Sequence, residues 1–236
     1  MFDRYSNILT MILIFFIVAI CGIIGYFIFD LFNANTLNTN AQSAIDEFES
    51  ATQTVNKNKD KVKENKVEEN TTSDINMLSP IEPQLQNQVS NGTAEQVEPE
   101  KVYMENFEVM GTLEIPKTGI KYPILERVTV RSLEIALGIA YPNNAELNKE
   151  GNVVIFGHNY RNGLFFSDNK KLSNGDKIYI TDKYGEKVTY EIYNIYQTTP
   201  DDASYFVRDT EGRREISLQT CTDSGDGRII IWAVEK

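Results

Sequence analysis

The sequence predicts an all-β globular head of about 130 residues, a barrel or a sandwich, behind an apolar N-terminal segment and a polar connecting stretch. Three observations predict it. No charged side chain occurs from Tyr5 to Phe29. Residues 33–100 are rich in Asn, Thr, Gln, Glu and Lys and nearly free of aromatics. From residue 101 onward, short apolar or alternating runs are separated by closely spaced turn residues. The 236 residues therefore divide into 1–32, 33–100 and 101–236, within the one or two domains that this length allows.

The first segment is dense in Ile, Leu, Phe and Val from Ile8 to Phe29. At ~1.5 Å per residue, about 20 such residues cross the ~30 Å hydrocarbon core of a bilayer. A cleaved signal has a shorter apolar core and a small-residue cleavage site. Val18-Ala19-Ile20-Cys21 puts bulky Ile20 where a lipoprotein cleavage box needs a small residue. The segment thus reads as an uncleaved transmembrane anchor. Asp3 offsets Arg4, and the polar stretch beyond Asp30 carries no nearby Lys or Arg, so the N-terminus is expected inside and the bulk of the chain outside.

Residues 33–100 hold 12 Asp/Glu against 5 Lys, whereas 101–236 hold 20 Asp/Glu against 17 Lys/Arg. Most of the net charge of −11 therefore belongs to the connecting stretch. Such a composition buries too little apolar surface to offset its ordering entropy, and it is expected to be a mostly disordered linker. As a flexible coil its reach is roughly 45–50 Å. Ile45, Phe48, Thr52, Val55, Lys59 and Val62 follow a loose heptad, but two of the six seam positions are polar, which favours a solvated segment over a packed helix. An acidic chain without a basic cluster argues against nucleic acid as a partner.

Within the head, Val109–Ile115 and Ile120–Leu125 read as strands around the Pro116-Lys117-Thr118-Gly119 turn. Thr129–Gly138 has helical spacing and a closing glycine. Gly151–Phe156 is an apolar strand running into Gly157-His158-Asn159. Lys177–Thr181 and Lys187–Gln197 flank Tyr184-Gly185, a hairpin signal. After a loop at 200–212, the run ending at Cys221 and the run beginning at Arg228 form two further strands joined by six turn-forming residues.

The chemistry concentrates at these strand ends. Cys21 lies in the apolar segment, so Cys221 is the one thiol of the head and has no disulfide partner. An unpaired thiol in an extracellular domain is a candidate nucleophile, although a lone cysteine is more often a small buried hydrophobe. His158, the single histidine, can take a thiol proton and return it to a leaving amine. Its bland reading is a surface or capping residue. Arg228 is permanently charged and donates several hydrogen bonds in fixed geometry, suited to an oxyanion or a substrate carbonyl. The alternative for it is a rim salt bridge with Asp223 or Asp226. The other arginines of the head, at 127, 131, 161, 208, 213 and 214, read as solvated surface.

Leu218-Gln219-Thr220-Cys221, with Arg228 seven residues on and Gly157-His158 upstream, resembles the sortases, membrane-anchored cysteine transpeptidases of Gram-positive bacteria. Leu113-Glu114-Ile115-Pro116-Lys117, Tyr122-Pro123-Ile124-Leu125, Gly151-Asn152-Val153-Val154 and Gly175-Asp176-Lys177 extend the resemblance over residues 108–236. It implies a closed eight-stranded β-barrel with short helices. It also implies attack by Cys221 on an LPXTG-like sorting signal, a thioacyl-enzyme, and resolution by an amine such as that of a cell-wall precursor. His158 would be acid and base, Arg228 the oxyanion or substrate donor, and Thr220 a substrate-binding residue. The implied partners are surface proteins with C-terminal sorting signals, the amine acceptor and the membrane, with no cofactor and no metal. With ordinary values of ~8.5 for a thiol and ~6.5 for an imidazole, the neutral pair dominates near pH 7.

Ser217 stands where the family usually has Thr, and Asn after the histidine is a class B feature. The Gln197–Arg214 connection is too short for the class B helix, and no Asp-Pro-aromatic lid motif occurs, so a class D- or A-like enzyme is expected. Asp201, Asp202, Asp223 and Asp226 fit no calcium-loop spacing. The Ser-His-Gly-Cys signature of L,D-transpeptidases is absent. A non-enzymatic extracellular binding module would also explain anchor, linker and barrel, but not the Cys, His and Arg at strand ends.

Overall fold

The structure is a computed structural model that describes residues 2–67 and 99–236. Its first element is one helix, α1 (Phe2–Val67). The stretch from Leu9 to Phe32 is exposed and strongly apolar, long enough to cross a membrane by length and composition. The helix then continues through the polar stretch without interruption. Ala41, Ala44, Ile45, Phe48 and Val55 are buried, and Ala41, Ala44 and Phe48 belong to the same apolar core as the strands. The solvated linker expected from residue 33 is therefore corrected as far as Val55, and the helix runs on to Val67. The heptad members Ile45, Phe48, Thr52 and Val55 all face the packed side. Thr52 is accommodated because its hydroxyl donates back to Phe48 O at 3.0 Å. Residues 68–98 of the expected linker lie outside the described residues.

Nine strands follow among the described residues: β1 (Tyr103–Met104), β2 (Phe107–Ile115), β3 (Ile120–Leu125), β4 (Leu137–Ala140), β5 (Gly151–Phe156), β6 (Lys177–Asp182), β7 (Lys187–Thr198), β8 (Arg214–Cys221) and β9 (Arg228–Glu235). The order β2-β3-β4-β5-β8-β9-β7-β6, closed by a β6–β2 pairing, makes an eight-stranded barrel with β1 hung on the edge of β2. Closure leaves no free strand edge on the ring. Pairings are antiparallel except β3–β4 and β5–β8.

The expected helix over Thr129–Gly138 is shorter than its spacing suggested. α2 spans Val130–Ile135, capped where Thr129 Oγ1 accepts from Ser132 N at 3.0 Å and Ser132 Oγ accepts from Thr129 N at 2.8 Å. Leu137–Ala140 is the strand β4, whose Leu137 and Ile139 are buried while pairing β3 to β5. Gly138 is needed there, because a Cβ would sit 3.1 Å from Arg127 O and 3.2 Å from Val128 Cα.

Alternation along β5, β8 and β9 separates two faces. Val153, Ile155, Ile216, Leu218, Ile229, Ile231 and Ala233 fill the barrel. On the outer face Val154 and Ile230, with Phe156 and Trp232, pack against Tyr196 of β7 and Tyr205 and Phe206 of the loop at 199–213. That loop is held down by a buried polar network. Arg208 Nη1 donates to Glu215 Oε2 at 2.6 Å and Tyr193 OH at 2.9 Å, and its Nη2 donates to Asn152 Oδ1 at 3.0 Å. The guanidinium stacks on Trp232 at 4.2 Å. Ser217 donates to Asn152 Oδ1 at 2.9 Å, and Asn152 Nδ2 donates to the carbonyls of Tyr205 and Phe206, each at 3.0 Å. Arg208 is thus a buried loop clamp rather than solvated surface, with its side chain 10% exposed and that of Glu215 at 0%.

Candidate active site

The parallel register of β5 and β8 places the histidine beside the cysteine. Phe156 pairs with Gln219, and Gly157 N donates to Gln219 O at 3.2 Å. β5 ends at Phe156, and in the turn that follows, Asn159, next to His158, donates from Nδ2 to Cys221 O at 3.0 Å, so the histidine turn lies at the Cys221 end of β8. Cys221 falls on the outer face, continuing the alternation Ser217, Gln219, Cys221 along β8. Across the antiparallel pairing, Cys221 lies directly opposite Arg228, so their side chains share that face at neighbouring positions. Cys221 and Arg228 therefore share one face at the ends of β8 and β9, and the turn that carries His158 is joined to that end through Asn159.

Thr220 is turned the other way. Its side chain is 1% exposed inside the barrel, and its Oγ1 is buried without a partner.

Local structure fixes the arrangement. Gly157 must be glycine, because a Cβ there would lie 2.7 Å from Phe166 Cδ2 and 2.8 Å from Leu137 Cδ2. The loop between β8 and β9 is closed by Thr222 N to Gly227 O at 3.0 Å and Gly227 N to Thr222 Oγ1 at 3.1 Å. Arg228 Nη1 donates to Gly227 O at 3.0 Å, and among the described residues no carboxylate forms the anticipated rim salt bridge with it. Asp223 is engaged elsewhere, with Lys170 at 2.6 Å and Asn159 at 3.0 Å; the Lys170 bond, then that of Asn159, hold its carboxyl below the usual range.

Asn159 joins the two halves of the site. Its Nδ2 donates to Cys221 O at 3.0 Å as well as to Asp223 Oδ1, and its Oδ1 accepts from Arg161 N at 3.1 Å. The sequence marked Asn159 only as a subclass feature. The signal for its role is its position beside His158, directly after a strand that pairs with the one ending at Cys221.

Burial lowers the pKa of His158, and the carboxylate of Glu134 on α2 pulls weakly the other way. Tyr160 stacks on the imidazole with centroids 4.8 Å apart, and Phe165 supports Tyr160 at 5.7 Å. The arrangement offers a thiol and a fixed cation on one face and, in the adjoining turn, an imidazole whose pKa burial lowers.

The sortase domain family model matches residues 113–236. Sortase A of Bacillus anthracis is 32% identical over 124 residues, 52% of this chain and 57% of that protein. Sortase D of Bacillus subtilis (strain 168) is 29% identical over 144 residues, 61% of this chain and 70% of the relative. The chain thus spans little more than half the length of Sortase A from B. anthracis, and 53% of that from Streptococcus agalactiae. Among solved structures, a lid mutant of Sortase A from Corynebacterium diphtheriae aligns with a TM-score of 0.50 at 27% identity, covering 56% of this chain and 72% of the other. The match begins within β2 and takes in the rest of the ring with its Cys, His and Arg, and on that ground the chain belongs to the sortase family.

Proposed function

We propose that this protein is a membrane-anchored cysteine transpeptidase that cleaves an LPXTG-like sorting signal and joins the released acyl group to an amine. The pairing of Cys221 with Arg228 on one face, with the His158 turn tied to Cys221 through Asn159, supports the reading. Cys221 Sγ attacks the backbone carbonyl of the signal's Thr as the thiol proton passes to His158. Arg228 supports the negative charge that develops on the carbonyl oxygen. Collapse of the tetrahedral intermediate breaks the C–N bond, and His158 returns its proton to the departing amine, leaving a thioester on Cys221. An incoming amine then attacks the thioester, gives a proton back through His158, and the thiolate leaves. Asn159 acts as a positioning residue, tying the histidine turn to the Cys221 carbonyl.

The sorting signal would belong to surface proteins, and the amine to a cell-wall precursor or a comparable acceptor. The apolar part of α1, within residues 1–32, anchors the chain, with the N-terminus inside and the catalytic unit of residues 101–236 outside. The docked part of α1 belongs to that unit, because its apolar face is shared with the barrel core. Incubating the full-length chain in detergent with sorting-signal peptides and an amine tests the reading. A transpeptidation product that disappears with Cys221→Ala supports it. A Cys221→Ala chain that turns over peptide as the parent does would overturn it.

A further inference from the structure

We infer that the barrel rests directly on the membrane surface, with α2 and the loop after β5 against the lipid headgroups, so that the active site opens at the bilayer. The inference rests on the proposed anchoring role of α1. It follows from the continuity of that helix. Asp30 is the first charge after the apolar span, Ala34 and Leu37 already pack against the core, and Ala41 is buried. At 1.5 Å per residue, these contacts begin about 6 Å and are complete about 16 Å along the axis from Asp30. No flexible tether intervenes, because residues 30–41 are helical.

A cavity of about 490 Å³ marks the level at which barrel and helix meet. Tyr26 and Asp30 of α1 line it together with Arg131 and Glu134 of α2 and Tyr160 and Asn162 of the loop after β5. Tyr26 and Asp30 stand where the apolar span gives way to polar sequence, the depth at which tyrosine favours the headgroup region. The barrel residues on the other wall therefore lie at that depth too. Five large apolar side chains are exposed on the described part of the barrel: Tyr103, Val128, Val130, Tyr160 and Val207. Three of them, Val128, Val130 and Tyr160, fall on or beside this wall, and Val130 is 79% exposed.

Arg161, between Tyr160 and Asn162, is exposed and donates to the Asp223 carbonyl at 3.2 Å, whereas the other nearby arginines are in ion pairs. Arg131 pairs with Glu105 and Glu134, and Arg127 pairs with Glu126. The surface therefore meets lipid through its valines and tyrosine, with exposed Arg161 beside Tyr160, and zwitterionic headgroups suffice. Tyr160 is also the ring stacked on His158, which puts the imidazole one ring away from the membrane level. The opposite end is far above it. Lys121 pairs with Glu49, and Glu49 is 19 residues beyond Asp30, about 28 Å along the helix.

Site-directed fluorescence in phosphatidylcholine vesicles carrying a headgroup nitroxide lipid tests this. In a full-length Cys21→Ser, Cys221→Ala background, a dye is placed singly at Val130→Cys, at Lys117→Cys in the turn before Lys121, and at Phe27→Cys in α1. The expected result is strong quenching at positions 27 and 130, several-fold above that at 117. Quenching at 27 with position 130 as unquenched as 117 would overturn the inference while leaving the anchor intact. Absence of quenching at 27 would overturn the anchoring reading, and the inference with it.

Discussion

Phe48→Ala is the substitution that most sharply separates a docked helix from a solvated tether. Phe48 is 2% exposed and shares the barrel's apolar core, although it lies in sequence that is otherwise polar. Truncating a buried phenylalanine costs about 3–5 kcal/mol, from lost transfer energy and the cavity left behind. With a urea m-value of about 2 kcal/mol/M, the unfolding midpoint of the barrel should fall by about 1.5–2.5 M. The single tryptophan, Trp232, lies in β9 under the Arg208 guanidinium, so its fluorescence follows the barrel without added labels. Phe29→Ala is the matched control, because Phe29 is 69% exposed in the apolar span and touches no barrel core. Both variants are measured full-length in detergent micelles. An unchanged midpoint for Phe48→Ala would refute the reasoning, since a helix that only rests on the barrel cannot transmit the loss to Trp232.

Other predictions follow from the site and its supports. Arg208→Met leaves the buried Glu215 with its Arg213 contact at 2.9 Å and the Tyr193 hydroxyl at 2.7 Å but without its buried cation, and should cost about 3 kcal/mol; adding Glu215→Gln should restore part of it, and full additivity in this cycle would show that the pair is uncoupled. Asn159→Ala removes the bond to Cys221 O and should lower kcat about fivefold to tenfold, equivalent to about 1 kcal/mol, with KM little changed; a rise in KM alone would place Asn159 in substrate binding. Burial holds His158 below the usual imidazole range, so the acid limb of kcat/KM should lie below pH ~6.5. Glu134→Gln removes the carboxylate that favours the imidazolium and should move that limb lower; an upward move would contradict the electrostatic account.

Much of the head was legible because β-structure with one buried face writes its period into the sequence. The apolar runs ending at Cys221 and starting at Arg228 became β8 and β9, and Tyr184-Gly185 became the turn between β6 and β7. β4 was hidden because Leu137–Ala140 follows a true helix directly, and four residues are too few for alternation to outweigh helical spacing. A motif gives neighbourhood but not facing, as Thr220 shows. The period of two puts Thr220 inside the barrel whenever Cys221 is outside. Arg208 was invisible as a clamp because it stands among charged loop residues, while its partners Asn152, Tyr193, Glu215 and Ser217 come from three different strands. The docked part of α1 escaped for a related reason. Small alanines and a back-bonded threonine make a packing face that composition alone scores as polar.

The measurement closest to the central claim is mass spectrometry of the full-length chain after incubation with a panel of sorting-signal peptides, with and without an amine. The account predicts an acyl adduct on Cys221 whose mass equals the peptide up to its Thr, discharged to an amide when amine is added. It also predicts that the adduct is absent in Cys221→Ala and slow to form in His158→Ala. Peptide cleavage that persists without Cys221, or a Cys221 adduct that amine cannot discharge, would contradict it.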